Sequence, residues 1–383
     1  MNNASSRRHF LQAGLALPAL ASASRSSDSA QSQSQQDRLS SGALQYRTLG
    51  KTGLRVTTVG YGTMITSDPT VIARAVDMGV NYFDTARNYQ NGQNERMVGV
   101  ALGTQRKKIF LASKSSDDPS TGRGILTEIE TSLKELNTDY MDVWHLHGLD
   151  NPSQITDELA EAQRKAKQQG KIRFVGVSTH NLPAIVDRVI EAKIEVVQAQ
   201  YNFASAASYG PALRKLHQAG VGLIAMKVMA KAGRRGSAPQ RPANFASAAL
   251  KWAIKNPAVA TTVPSMTDID QLQENFRAMS EPFTEADSKV LVARLEEIGP
   301  YFCRMCGGCQ DQCPKGLPVA DMVRFVMYAD GYGQFPLGRE QFLRISAEHR
   351  QVRCGDCATC AVHCPNGVHV QAQLSRAQQL FAC

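Results

Sequence analysis

At 383 residues, 43% hydrophobic and 20% charged, the chain exceeds one ordinary domain and carries enough apolar material for a large core. That balance excludes a disordered or fibrous chain, and the long apolar stretch near the N-terminus is too short for a transmembrane span. The formal charge of +9 falls to +7 without residues 1–23, and outside Arg106–Lys108 and Arg234–Arg235 the bases are scattered, so no nucleic-acid partner is implied.

The first segment reads as an address. Arg7-Arg8 precede Phe10-Leu11, an apolar run extends from Ala13 to Ala21, and Ala21-Ser22-Ala23 offers small residues for cleavage near Ala23. The arginine pair resembles a twin-arginine signal, which implies periplasmic export by machinery that carries folded, cofactor-loaded proteins. Residues 24–43, rich in Ser, Gln and Ala, read as a disordered linker.

From Leu54 to Ala278 short β-like runs alternate with helical ones. The predicted strands are 56–60, 80–84, 109–114, 141–147, 172–178, 196–200, 222–227 and 260–264. The predicted helices are 70–78, 94–102, 125–136, 155–169, 182–192, 211–219, 243–255 and 269–279. Strict alternation of this kind fits an α/β fold, a (β/α)8 TIM barrel spanning 44–298. A doubly wound sheet would carry G-x-G-x-x-G after an early strand, and the sequence has none.

A barrel of this type does its chemistry at the C-terminal ends of its strands. Asp84 ends the second predicted strand, with Tyr89 just beyond it; Lys114 ends the third and His147 the fourth. A free tyrosine titrates near about pH 10, and a lysine ammonium favours its phenolate while a carboxylate fixes the lysine. His147 can orient a carbonyl oxygen, and Tyr89 can protonate it as hydride reaches the carbon. His145 shares the inward face of its strand with His147 and reads as a packed support.

The segment 299–383 reads as a small domain of another kind. Eight of the nine cysteines form two runs of C-x2-C-x2-C-x3-C-P: Cys303, Cys306, Cys309 and Cys313 before Pro314, then Cys354, Cys357, Cys360 and Cys364 before Pro365. This is the bacterial ferredoxin spacing, in which three thiolates hold one 4Fe-4S cluster and the fourth crosses to the other. Cys303, Cys306, Cys309 and Cys364 then hold one cluster, and Cys354, Cys357, Cys360 and Cys313 the second. Triplets of this spacing make a poor disulfide framework, and structural zinc takes pairs. Two such centres, at roughly −2 each, bring the mature protein to about +3. Met322, Val323, Phe325, Val326 and Met327 predict one amphipathic helix over the clusters. Cys383 has no matched partner and receives no role.

The barrel motifs resemble the aldo-keto reductase family. They are Tyr46 through Leu54, Phe83-Asp84-Thr85-Ala86 with Tyr89, Ala112-Ser113-Lys114, and Asp139-Tyr140-Met141-Asp142 through His147. The resemblance covers about residues 44–280 and implies NAD(P)H-dependent carbonyl reduction, with Tyr89, Asp84, Lys114 and His147 as the catalytic tetrad. It also implies Ser178 and Gln198 at the nicotinamide carboxamide and Asn275 at the adenine end. Lys227 falls where the family commonly stacks an aromatic ring on the nicotinamide. Ser265, Met266 and Gln271 fall where bases grip the 2′-phosphate of NADP; none is cationic, which argues against NADP preference. The whole chain resembles a branch with ferredoxin-like C-terminal cysteines. An exported oxidoreductase is therefore expected, with a small carbonyl or alcohol substrate and a redox protein partner for the clusters. A conventional reductase with purely structural clusters, and a non-enzymatic electron carrier or binding protein on a barrel scaffold, are the alternatives.

The arginine pair makes an export test direct. Arg7→Lys with Arg8→Lys should hold the protein in the cytoplasm with its clusters assembled; undiminished periplasmic protein after cell fractionation would refute the twin-arginine route.

Overall fold

The computed structural model describes residues 44–116, 121–232 and 244–382. The signal segment 1–23, the linker 24–43, Arg234–Arg235 and Cys383 lie outside the described residues. Among the described residues no helix is long and apolar enough to cross a membrane.

The chain enters through an antiparallel hairpin, β1 (Tyr46–Thr48) and β2 (Arg55–Thr57), in the register Tyr46↔Thr57 and Thr48↔Arg55. The Arg47 guanidinium fixes the hairpin by donating to the carbonyls of Asn256 at 2.8 Å, Val259 at 2.7 Å and Ile254 at 2.5 Å. Leu49, Leu54 and Val56 pack with Tyr82, Ala112, Val143, Val196 and Ile224, which line the barrel interior. The hairpin thus fills the lower end of the barrel.

Eight parallel strands follow: β3 (Tyr61–Gly62), β4 (Tyr82–Asp84), β5 (Phe110–Lys114), β6 (Met141–Leu146), β7 (Ile172–Thr179), β8 (Val196–Gln200), β9 (Gly222–Met226) and β10 (Val259–Thr262). They pair in chain order, and the bridges Val59↔Thr262 and Gly62↔Ser265 bring β10 back to the first strand. The predicted first strand, 56–60, is corrected: Val56 belongs to the hairpin, and the barrel strand starts only at Tyr61. An apolar alternation fits either sheet, and only pairing with Thr48 or Thr262 decides which.

Helices α1 (Pro69–Asp77), α2 (Gln93–Leu102), α3 (Gly122–Glu135), α4 (Asp157–Gln168), α5 (Leu182–Glu191), α6 (Ala206–Ala219), α7 (Phe245–Lys255) and α8 (Ile269–Arg277) alternate with the strands. Side-chain caps start several of them: Asp68, Thr121, Thr156 and Asp268 accept from the first-turn amides. Their apolar faces and the outward strand residues form the large core around Trp144, Ile129 and Val177.

A further helix, α9 (Glu285–Ile298), leads into the cysteine-bearing region. There α10 (Val319–Val326) runs directly into a π-helical turn, Met327–Gly331, followed by α11 (Phe335–Leu343), α12 (Ala347–Gln351) and α13 (Val370–Phe381). Met322, Val323, Phe325, Val326 and Met327 are buried as one face, but the single predicted helix ends in the π turn. Their core is shared with Ala204, Ala230 and Ala232 of the barrel loops, so the two regions pack as one body. Arg376 of α13 clamps Asp330 of the π turn through two bonds of 3.0 Å.

The seam is tight at Gly331. A Cβ there would lie 2.6 Å from the Lys231 carbonyl oxygen and 2.8 Å from Ala232 Cα. Gly331→Ala should therefore cost about 1–3 kcal/mol. Thermal unfolding and limited proteolysis between the two regions are the measures; an unchanged midpoint and digestion pattern would contradict this packing.

Candidate active site

Parallel strands put every carboxyl end on one face, and that is where the four residues named from the sequence meet. Asp84 and Lys114 are the last residues of the adjacent strands β4 and β5. Lys114 is fully buried, and its Nζ donates to Asp84 Oδ2 at 2.6 Å and to the Thr85 carbonyl at 2.7 Å. The ammonium lies 4.8 Å from the centroid of the Tyr89 ring. Tyr89 begins a tight turn in which Gln90 and Asn91 are left-handed, and Gln90 Nε2 anchors that turn to the Thr66 carbonyl at 2.6 Å. His147 sits edge-on to Tyr89, with ring centroids 6.1 Å apart.

The His147 Nδ1 lies 3.2 Å from the Ser115 carbonyl oxygen. A carbonyl only accepts, so Nδ1 carries the proton. Nε2 of that tautomer is an acceptor suited to an alcohol hydroxyl. His145 is wholly buried against Gly176, and burial drives its pKa far below the usual imidazole value, so it stays neutral packing.

A cavity of about 650 Å³ opens above these groups, within the range of small-molecule sites. Ser178, Gln198, Lys227 and Ser265 line it together with Asp84, Tyr89 and His147. Gln198 Nε2 donates to Asp84 Oδ2 at 3.1 Å, which leaves its Oε1 buried without a protein partner. That orphan acceptor suits the amine of a carboxamide, so the nicotinamide end of a dinucleotide fits. Ser178 Oγ accepts from the Gly148 amide at 2.9 Å. Gln271 and Asn275 lie outside the cavity lining. Gln271 is half-buried and bonded to Thr267 and Asp268 at the start of its own helix, and Asn275 is buried on α8. Ser265, Met266 and Gln271 supply no cation for a 2′-phosphate.

The cavity has a second polar wall that the sequence did not disclose. Lys227, at the end of β9 with a left-handed φ of 55°, donates to the Tyr328 hydroxyl at 3.0 Å. Tyr328 comes from the π turn of the C-terminal region. Its hydroxyl also lies 3.5 Å from Arg324 and 3.4 Å from His180 Nε2. His180 Nδ1 meets Asp150 Oδ2 at 3.2 Å, and Asp150 Oδ1 accepts from the His180 amide at 2.6 Å and from Thr179 Oγ1 at 3.0 Å. Burial raises the Tyr328 phenol, but the Lys227 and Arg324 charges outweigh it and hold the group below the ordinary tyrosine value. Burial lowers His180 to about 4, keeping it neutral. The one local signal was position: His180 follows the end of β7, where barrel strands present chemistry.

The cysteines also converge in the crossed pattern. Cys303 is half-buried, with Cys309, Cys306 and Cys364 as its thiol neighbours, and desolvation first and those neighbours next push it up to about 12. Cys354 has Cys313, Cys357 and Cys360 around it and is pushed up to about 11, again chiefly by burial. Thiols this reluctant to ionise need a cationic core to become thiolates. Among the described residues no three His, Cys, Asp or Glu side chains close on a single-ion site. The Met305 amide points to Cys303 Sγ at 3.4 Å, and Asn366 Nδ2 to Cys306 Sγ at 3.2 Å. Such contacts tune an iron–sulfur potential.

Two family profiles match the chain. The aldo/keto reductase family covers residues 61–243 and 238–296, and a 4Fe-4S dicluster domain covers 302–369. An oxidoreductase of Bacillus subtilis, YqkF, is 27% identical over 66% of this chain and 96% of its own length. The L-galactose dehydrogenase of Arabidopsis thaliana is 27% identical over 62% of this chain and 89% of that one. Among solved structures, the aldo-keto reductase AKR11C1 of Bacillus halodurans in its holo form matches at a TM-score of 0.56 and 25% identity. It covers 66% of this chain and 96% of that one.

The buried Asp84–Lys114 pair gives a stability test. Lys114→Met strands a buried carboxylate and should cost roughly 3–5 kcal/mol. An unfolding free energy extrapolated to water within about 1 kcal/mol of the parent's, on the order of measurement error for such extrapolations, would show that Asp84 does not depend on this partner.

Proposed function

The chain belongs to the aldo/keto reductase family and is an oxidoreductase of carbonyl or alcohol groups with a C-terminal 4Fe-4S domain, and from that premise we propose that it couples carbonyl–alcohol interconversion to electron transfer through two 4Fe-4S clusters. The observation that carries this reading is the shared cavity. Tyr89 and His147 line it from the barrel, and Met305, Gly307 and Cys309 line it from the first cysteine run. A substrate held there would lie between the proton donor and the protein edge of the first cluster.

The division of labour follows from the geometry. Asp84 and the Thr85 carbonyl hold the Lys114 ammonium beneath the Tyr89 ring. The ammonium favours negative charge on Tyr89, so the phenol gives up its proton to a substrate oxygen and takes it back in the reverse direction. His147 fixes the direction of that oxygen. Iron–sulfur clusters, when bound, supply one-electron transfer, and a nicotinamide dinucleotide, when bound, supplies hydride. Cys303, Cys306, Cys309 and Cys364 would hold one cluster, and Cys354, Cys357, Cys360 and Cys313 the other. Ser178 and Gln198 would hold a nicotinamide end, and without a cation at Ser265, Met266 or Gln271 the preference is not for NADP.

Twin-arginine export to the periplasm belongs to the same reading, supported by Arg7-Arg8 and by clusters that need assembly before transport. Free dinucleotide is scarce there, so a redox protein partner for the clusters is part of the proposal.

Tyr89→Phe keeps the ring and removes the proton donor. It should lower turnover of carbonyl substrates by about 10²–10⁴, roughly 3–5 kcal/mol, with cluster absorbance unchanged. A variant with parental turnover would remove Tyr89 from the mechanism. Anaerobic analysis should find close to eight iron and eight sulfide per chain, about four per cluster; zinc or disulfides in their place would overturn the cluster assignment.

A further inference from the structure

The second polar wall repeats the chemistry of the first. Tyr328, Lys227, His180 and Asp150 are again a tyrosine, a lysine, a histidine and an aspartate, and all four line the same cavity as Tyr89 and His147. They come from both sides of the seam. Lys227, His180 and Asp150 follow barrel strands, while Tyr328 and Arg324 belong to the iron–sulfur domain. The site therefore exists only with that domain seated on the barrel mouth.

Two features mark it as built rather than incidental. Lys227 holds a left-handed backbone that a non-glycine residue adopts at a cost. Tyr328 lies in a π turn, an irregularity often kept at functional positions. The ammonium of Lys227 is further held 4.2 Å from the Tyr328 ring centroid and 5.4 Å from that of Tyr332.

Charge decides what the site can take. Among the described residues lining the cavity here, Lys227, Lys231 and Arg324 are offset by Asp150, Asp311 and Asp321, while Asp84 is matched by Lys114. No cationic excess remains to offset a buried carboxylate or phosphate, so an anion would bear its desolvation cost uncompensated. A neutral hydroxyl fits instead. It can accept from the Lys227 ammonium and donate to the oxygen of Tyr328.

We propose that Tyr328 and Lys227 form a second subsite that recognises a hydroxyl group near the reacting carbon, so that the ligands of this cavity are hydroxy-carbonyl compounds and polyols rather than simple aldehydes. The inference rests on the carbonyl–alcohol reading of the Tyr89 site and adds the substrate class to it. A site built to hydrogen-bond a hydroxyl discriminates against the analogue lacking it, because its own buried groups are then left unpaired.

The test compares glyceraldehyde with propanal, which lacks both hydroxyls. The parent protein should favour glyceraldehyde in kcat/KM, and Tyr328→Phe should lower that preference at least ten-fold. Lys227→Met removes the partner from the barrel side and should do the same, which covers the case in which Tyr328→Phe loses its cluster absorbance and fails to fold. Calorimetric binding of glyceraldehyde to Tyr89→Phe, with and without Tyr328→Phe, reads the subsite without turnover. Glyceraldehyde binding that depends on Tyr328 in a protein that turns over no carbonyl would uphold the subsite and overturn the carbonyl–alcohol reading. A preference and an affinity that survive both Tyr328→Phe and Lys227→Met would overturn the subsite.

Discussion

A ring of parallel strands has one chemical face. Because β3 to β10 all run the same way and close through Val59 and Gly62, every strand delivers its last residue to the same rim. Asp84 and Lys114 become neighbours there although 30 residues separate them, because β4 and β5 are hydrogen-bonded in register. The pair is buried, so it also fixes the rim: the carboxylate holds Lys114, Lys114 holds the Thr85 carbonyl, and Gln198 reaches across the barrel to the same carboxylate. The geometry of Tyr89 and His147 depends on this arrangement.

The iron–sulfur domain adds a roof to that rim. Its core merges with Ala204, Ala230 and Ala232, and Tyr328 docks on Lys227. Excluding water from a polar cavity strengthens each interaction inside it. The roof also brings Cys309 into the lining, so the first cysteine run and the Tyr89 site face the same cavity. A carbonyl takes up two electrons and two protons on becoming an alcohol. On the proposed function, two clusters that each pass one electron would match that demand, and Tyr89 would supply a proton within the same cavity.

Local pattern made part of this visible in the sequence. Asp84, Lys114 and His147 sit at strand ends, and strand ends are marked by short apolar runs, so their meeting with Tyr89 at one rim was legible. The approach of Cys364 to the first run and of Cys313 to the second was legible too, because it follows the crossed pattern of the proline-terminated spacing. The first barrel strand was not, since Val56 alternates equally well in a hairpin. Nor was the second polar wall: Tyr328 meets Lys227 across 101 residues and His180 across 148, and no local period records such a contact. Gln271 shows the converse. Its position along the chain matched a phosphate-binding place, and in the structure its side-chain amide donates to Thr267 and to Asp268, the residue that caps the helix.

The central claim is that barrel chemistry and clusters share electrons, and anaerobic single turnover observed by electron paramagnetic resonance tests it. The protein is reduced, freed of excess reductant, given one equivalent of NAD+ as the hydride carrier, and mixed with glyceraldehyde. The account expects the reduced-cluster signal to disappear as glycerol forms, one alcohol for every two electrons withdrawn. A signal that persists beside unchanged glyceraldehyde, in protein that reduces the same compound with added NADH, would contradict it and leave the clusters as structural supports.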